Sequence, residues 1–378
     1  MLGVYVHLPF CPYLCPYCDF AKWPSRATAA ASYLQALYAE IEREAVTPAA
    51  TVFVGGGTPN AYDAGTIAQL LLRLDRRFPV AEGIDAERET SVEINPELVR
   101  PGDFERYRTA GVTRLSIGVQ SFEPGEIRTL GRKHDAAAIE NVVAVARAAG
   151  IASVSLDLMF AVPGQTPRSW RGSLKRAIAL GVDHVSTYGL TVEPNTPYAA
   201  WQHRDPSAFF DDAAEAELYA IAIERLESAG YEHYEISNFA RPGHRCAHNA
   251  NYWANGEYVG LGVGAASYRD GVRSVRTRSL ERYVDDSLAG RPIPREAERL
   301  EGARRAGEAI MLALRTAQGV RLAEFKERYG VDVASVYAPA VERFARAGLL
   351  ERSEDALRLT VRGRFVANDV CEAFLPFA

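Results

Sequence analysis

The stretch Gly3-Val-Tyr5-Val-His7-Leu-Pro-Phe-Cys11-Pro-Tyr-Leu-Cys15-Pro-Tyr17-Cys18-Asp-Phe20 decides how the rest of the chain is read. It joins a short β-branched, apolar run to three cysteines spaced CxxxCxxC. Three thiolates can hold three irons of a cubane cluster and leave the fourth open, whereas closed electron-transfer clusters take four cysteines. An open iron is a place where a small molecule can bind directly. The competing reading is zinc, whose closed sites use four protein ligands, commonly in CxxC pairs. No second pair is present, and the remaining cysteines, Cys246 and Cys371, lie far along the chain. A disulfide framework fits poorly with an odd count of five cysteines in 378 residues.

Outward from this stretch, β-branched runs at 4–8, 51–54, 90–94, 114–119, 153–160 and 184–190 predict strands. Between them, apolar residues recur at helical spacing: Tyr33, Leu34, Leu37, Tyr38 and Ile41, then Ile67, Leu70, Leu71 and Leu74. Further helices are expected at 103–110, 136–149, 168–180 and 211–229, several ending at glycine. Six βα units in a row predict an α/β fold with a parallel sheet. Periodicity leaves two arrangements open, an incomplete barrel and a doubly wound sheet. A loop-like stretch near 290–294 precedes charged helices, a short strand at 357–361 and a closing helix, and residues 331–351 resemble a winged-helix module. The expected units are 1–240, a connecting segment 241–290, and a mostly helical C-terminal domain 291–378.

Composition narrows the function. Hydrophobic residues make up 48% of the chain, enough for a sizeable core, and the formal net charge of -5 does not favour nucleic acid. Without a run of 18 apolar residues no membrane span is expected, and an N-terminus lacking a basic region does not read as a signal peptide. Free cysteines and an oxygen-sensitive cluster suit a reducing cytosol.

In a barrel the chemistry sits at the C-terminal ends of the strands. There lie the three cysteines, the run Gly55-Gly-Gly57-Thr58-Pro59, Glu93, Gln120 and Asp157, with Arg132 a little beyond. Glycines let backbone approach a ligand, carboxylates can accept from ribose hydroxyls or pair with an ammonium, and Arg132 can grip a carboxylate with two donors. A solvated barrel rim is the plainer reading. Asp157 resists it, because it interrupts an apolar strand where an unpartnered acid is costly. Farther on, His248, Tyr252 and Trp253 could wall a flat ligand or simply pack two domains together.

The triplet resembles the radical SAM signature, in which S-adenosylmethionine (SAM) chelates the open iron. The series Tyr5–Cys11, Gly55–Pro59, Glu93-Ile-Asn-Pro96, Gly118-Val-Gln120-Ser-Phe122, Asp157 and Tyr234–Phe239 resembles the oxygen-independent coproporphyrinogen III oxidase group. The resemblance implies an incomplete (β/α)6 barrel with a smaller winged-helix-like domain. It implies a [4Fe-4S] cluster on Cys11, Cys15 and Cys18, with Tyr5 and Tyr17 beside SAM and Gly57 and Thr58 at the methionine amine. Glu93, Gln120, Arg132 and Asp157 occupy positions that contact SAM or its ribose.

Two departures point within the group. Phe20 stands where the oxidases carry a further cysteine, and the chain begins within three residues of the first strand, so the oxidases' N-terminal arm is not expected. Phe20 together with His248-Asn-Ala-Asn-Tyr252-Trp253 is similar to the HemW-type haem chaperones, whose HNxxYW segment is implicated in haem binding. The expectation is a cytosolic haem chaperone with a [4Fe-4S] cluster, SAM and haem. Its partners would be an electron donor and a haem-accepting protein, with no nucleic acid and membrane contact only through the acceptor. The rival is coproporphyrinogen III dehydrogenase, which removes two propionate carboxylates by radical chemistry.

Overall fold

Each β-branched run folds as a strand and is followed by a covering helix, in a computed structural model that describes residues 1–82 and 88–375. The strands are β1 (Gly3–Leu8), β2 (Thr51–Gly56), β3 (Glu89–Ile94), β4 (Arg114–Gln120), β5 (Ser153–Phe160) and β6 (His184–Gly189). They pair in parallel in chain order, Gly3 facing Thr51 and Asp157 facing both Gly118 and Ser186. That order decides between the two arrangements left open. A doubly wound sheet reverses its strand order at a switch point, whereas here every crossover steps the same way around an arc. The sheet does not close among the described residues.

The covering helices are α1 (Ala27–Arg43), α2 (Ala64–Arg77), α3 (Asp103–Thr109), α4 (Ala136–Ala148), α5 (Pro167–Ala179) and α6 (Asp212–Ser228). Their starts are set locally. Asp63 and Asp135 accept from the backbone N–H three residues on, and Thr166 and Ser169 cap each other around Pro167.

The arc is extended at both edges. Beyond β6 come β8 (Asn238–Ala240) and β7 (Glu232–Glu235), both antiparallel. On the other side, β9 (Tyr258–Leu261) runs parallel to β1, and β10 (Ala266–Arg269), β11 (Val272–Arg276) and β12 (Arg295–Arg299) continue antiparallel. The glycine-rich run 260–266 is therefore the end of a strand and its turn. Gly262 has φ +102°, and a Cβ there would strike the Tyr33 hydroxyl and the His7 carbonyl.

One core of Val4, Val6, Val52, Val54, Ile117 and Leu156 runs under the arc and takes in Val259, Leu261 and Tyr283. A second core, of Ile310, Leu314, Phe344, Leu357, Val370 and Phe374, lies in the C-terminal part. There a helix at Gly302–Leu314 is followed by further helices and an antiparallel hairpin, Leu350–Arg352 with Ala356–Leu359, in a winged-helix arrangement. The hairpin strand stops before 361, because the Thr360 hydroxyl caps the next helix by accepting from the Gly363 N–H. Among the described residues no helix is long and apolar enough to cross a membrane.

Candidate functional site

The strand ends open on a cavity of about 500 Å³. Cys11, Cys15 and Cys18 ring one side on the loop after β1, all as free thiols. The glycine run seats β2 against that loop: the Gly57 and Thr58 N–H groups donate to the Leu8 and Phe10 carbonyls at 2.8 and 3.1 Å. Gly56 has φ +108°, and side chains at the three glycines would collide with Glu93, His7 and the Leu8–Pro9 backbone. The run therefore serves close approach of backbone to backbone, beside whatever the cavity holds.

Opposite the thiols, the polar groups are incompletely satisfied. Glu93 accepts from the Gly56 N–H at 3.0 Å. Burial, and then repulsion from Asp157, push its carboxyl up to about 7. Asp157 accepts from the Ser116 hydroxyl at 3.0 Å, and burial pushes it up to about 6. Neither acid makes a direct ion pair among the described residues, although Arg132 and Arg114 favour the Asp157 charge from farther off. Arg132 reaches the Asn95 side chain at 2.8 Å and the Gly118 carbonyl at 2.5 Å, lies 3.8 Å from the Cys15 sulfur, and leaves its Nε buried without a partner. Gln120 sits at φ +63°, where the β4–β5 register shifts. Strain of this kind persists where surrounding structure holds it and gathers at ligand sites.

Of the residues singled out from the sequence, Tyr5, Tyr17, Gly57, Thr58, Glu93, Gln120, Arg132, Asp157, His248, Tyr252 and the three cysteines all line this cavity. Trp253 does not. It faces a second cavity toward the C-terminal part, where the Arg315 guanidinium lies over its ring at 5.9 Å. Tyr252 and Trp253 are adjacent on α7 (Ala247–Trp253), and neighbours on a helix point about 100° apart. The two rings therefore form no common wall.

His248 is placed at the floor of the barrel and is 1% exposed. Its Nδ1 bonds the Thr51 hydroxyl at 2.8 Å and its Nε2 the Tyr252 hydroxyl at 2.9 Å. Its ring stacks on Phe53 at 5.2 Å, and Phe53 in turn stacks on Tyr5. Burial lowers its basicity to about 4, so it is neutral. Both nitrogens are engaged, and neither is left for a metal in this conformation. Glu89 secures the start of α7 by accepting from the Ala247 and His248 N–H groups at 3.0 and 2.9 Å, and it pairs with Arg114 at 3.1 Å.

Phe53, Asn95, Ser116 and Ser186 also line the cavity and were not singled out as ligand contacts. The available signal was a polar residue interrupting an apolar strand, as Ser116 does between Leu115 and Ile117.

Comparison with known proteins follows this geometry. Residues 5–177 match the radical SAM superfamily and residues 300–366 the HemN C-terminal domain. The chain is 34% identical to the heme chaperone HemW of Bacillus subtilis, covering 99% of each. It is 32% identical to the same protein of Escherichia coli, covering 99% of this chain and 98% of that one. In structure it resembles coproporphyrinogen III oxidase (HemN) from Escherichia coli with a TM-score of 0.85, 25% identity and coverage of 99% and 89%.

Proposed function

Because the chain belongs to the radical SAM superfamily and, within it, to the HemW family, we propose that it is a haem chaperone. It would bind haem, a [4Fe-4S] cluster and SAM, and hand the haem to an acceptor protein. The observation that carries this reading is end-to-end similarity to relatives that bear the name heme chaperone, over 99% of this chain. Phe20 supports it: the position is 66% exposed on the cysteine loop and offers no further thiol.

The residues present fit both cofactors. Three thiols share one loop, the glycine run brings backbone close to that loop, and Glu93, Asp157 and the unpartnered Arg132 Nε line the same cavity. Cys11, Cys15 and Cys18 would hold the cluster, which when bound supplies electrons and an open iron. Glu93, with its raised proton affinity, would release its proton on meeting a cationic group. Asp157 and Gln120 would accept and donate at ribose hydroxyls. Arg132, already 3.8 Å from the Cys15 sulfur, would hold positive charge beside the thiolates. Tyr5, Tyr17, Gly57 and Thr58 would shape the wall. A cytoplasmic setting, an electron donor for the cluster, no role for nucleic acid, and membrane contact only through the acceptor complete the proposal.

The test is anaerobic titration of the reconstituted protein with haem and, separately, with coproporphyrinogen III plus SAM and reductant. The expected result is a Soret band saturating near one haem per chain and no vinyl product. Multiple turnovers of coproporphyrinogen III to protoporphyrinogen IX would overturn the chaperone reading and establish the dehydrogenase.

A further inference from the structure

His248 and Tyr252 line the main cavity, whereas Thr51, which holds the other side of the same imidazole, lies behind it and off the cavity wall. We propose that Thr51 is a positioning residue that leaves the His248 Nε2 lone pair turned toward the cavity, and that the Tyr252 hydroxyl is a releasable cap on that nitrogen, displaced when the haem iron arrives. The inference rests on the haem-binding reading above, with the His248 segment as its site, and assigns the partners that prepare the ligand.

The imidazole is held between two hydroxyls. Thr51, buried at the start of β2, meets Nδ1 at 2.8 Å, and Tyr252, one turn beyond His248 on α7, meets Nε2 at 2.9 Å. Burial keeps the ring neutral. A neutral imidazole has one N–H donor and one acceptor nitrogen, so it donates to one hydroxyl and accepts from the other. The phenol is the more acidic of the two hydroxyls and the better donor, and the aliphatic hydroxyl is the better acceptor. The proton therefore sits on Nδ1 and is donated to the Thr51 oxygen, while Nε2 keeps its lone pair, aimed at Tyr252. A metal-binding histidine is prepared in the same way: an outer partner takes the N–H of one nitrogen and so presents the lone pair of the other. Phe53 stacks on the ring at 5.2 Å, and Glu89 accepts from the His248 backbone N–H at 2.9 Å, so the ring is held without help from Tyr252.

Tyr252 is the movable partner. Its hydroxyl makes no other hydrogen bond among the described residues, and its ring borders a neighbouring space of about 790 Å³ into which it can turn. His184, the other imidazole on the cavity wall, lacks that freedom. Its Nδ1 meets the Ser155 hydroxyl at 2.7 Å, and its Nε2 meets the Tyr234 hydroxyl at 2.9 Å. That second hydroxyl also accepts from the Cys246 N–H at 3.3 Å, so it is fixed from two sides. With the Tyr252 cap in place, the buried His248 ring leaves no nitrogen unpaired. When iron takes Nε2, one hydrogen bond is exchanged and the Thr51 bond stays. The arrangement suits a cargo that must leave again, because the returning hydroxyl competes with iron for the same lone pair.

The experiment titrates the full reconstituted protein with haem under anaerobic conditions. It compares wild type, Thr51→Val, Thr51→Ser and Tyr252→Phe, with cluster iron content before titration as the check on folding. Thr51→Val keeps the shape and removes the acceptor, so the proton moves to Nε2; binding should weaken by about tenfold and the Soret maximum should shift. Thr51→Ser keeps the hydroxyl and should restore both. Tyr252→Phe keeps the ring and removes the cap, so binding should tighten by about fivefold at the wild-type Soret position. Without haem, 15N NMR of labelled histidines should find the His248 proton on Nδ1, with His248→Gln identifying its signal among the seven histidines. Wild-type affinity and spectrum in Thr51→Val, a loss that Thr51→Ser leaves unrestored, binding in Tyr252→Phe no tighter than wild type, or a proton on Nε2 would each overturn the inference, and a Soret band in wild type would still uphold the chaperone reading. No Soret band in wild type would remove the chaperone reading itself.

Discussion

The mouth and the floor of the barrel use the same residue types to opposite ends. At the mouth, Glu93 and Asp157 line open space without a direct ion pair among the described residues, and Arg132 leaves its Nε without a hydrogen bond. At the floor, Glu89 is met by the Arg114 guanidinium, the Cys246 thiol at 3.4 Å and two backbone N–H groups, and His248 spends both nitrogens on Thr51 and Tyr252. The floor groups are largely spent on one another, although the Arg114 Nη1 is left without a partner there as the Arg132 Nε is at the mouth. The comparison teaches that residue identity does not mark a ligand contact. What surrounds each residue decides how much hydrogen-bonding capacity it keeps.

The comparison can be broken most sharply at the thiols. Anaerobic reconstitution should give about four irons per chain, and Cys15→Ala should abolish the iron–sulfur absorbance. Full iron retention in that variant would place the cluster elsewhere. The next largest effect belongs to the floor. Glu89→Ala strips four donors of their acceptor, so the apo protein should lose about 4 kcal/mol in chemical denaturation, as for a broken buried pair. A loss below about 0.5 kcal/mol, the level of an ordinary surface change, would show that the floor is not the rigid end.

Glu93 sharpens the contrast through pH. Its folded-state proton affinity, about 7, lies above the ordinary carboxylate value of 4.5. The folded apo protein keeps a proton that the unfolded chain has released, so stability is intact below about pH 4.5 and declines as pH rises through about 7. Glu93→Gln should flatten that decline, recovering up to about 3 kcal/mol at pH 8. Parallel stability–pH curves for variant and wild type would mean that the mouth acid is not left unmet.

Much of the mouth was legible in the chain, because its signals are local. The cysteines lie within eight residues, and the strands announce themselves by β-branched runs with the chemistry at their ends. The floor was not legible. His248 and Thr51 are 197 positions apart, and no period or spacing links them. Nor could the pairing of β9 with β1 be read, since a Gly-rich run far from the N-terminus carries no register signal. The splitting of Tyr252 from Trp253 depended on recognising the short helix that contains them both.

The sequence by itself determined the thiol triplet, the succession of βα units, the polar residues at strand ends and the phenylalanine at position 20. These rest on spacing and on side-chain chemistry, which a chain carries before it folds. Only the tertiary structure decided that His248 is spent inside the barrel floor and that Trp253 faces the C-terminal part. The physical reason is that satisfaction of a polar group and enclosure of a cavity are properties of what surrounds a residue. Those surroundings are assembled from segments hundreds of positions apart.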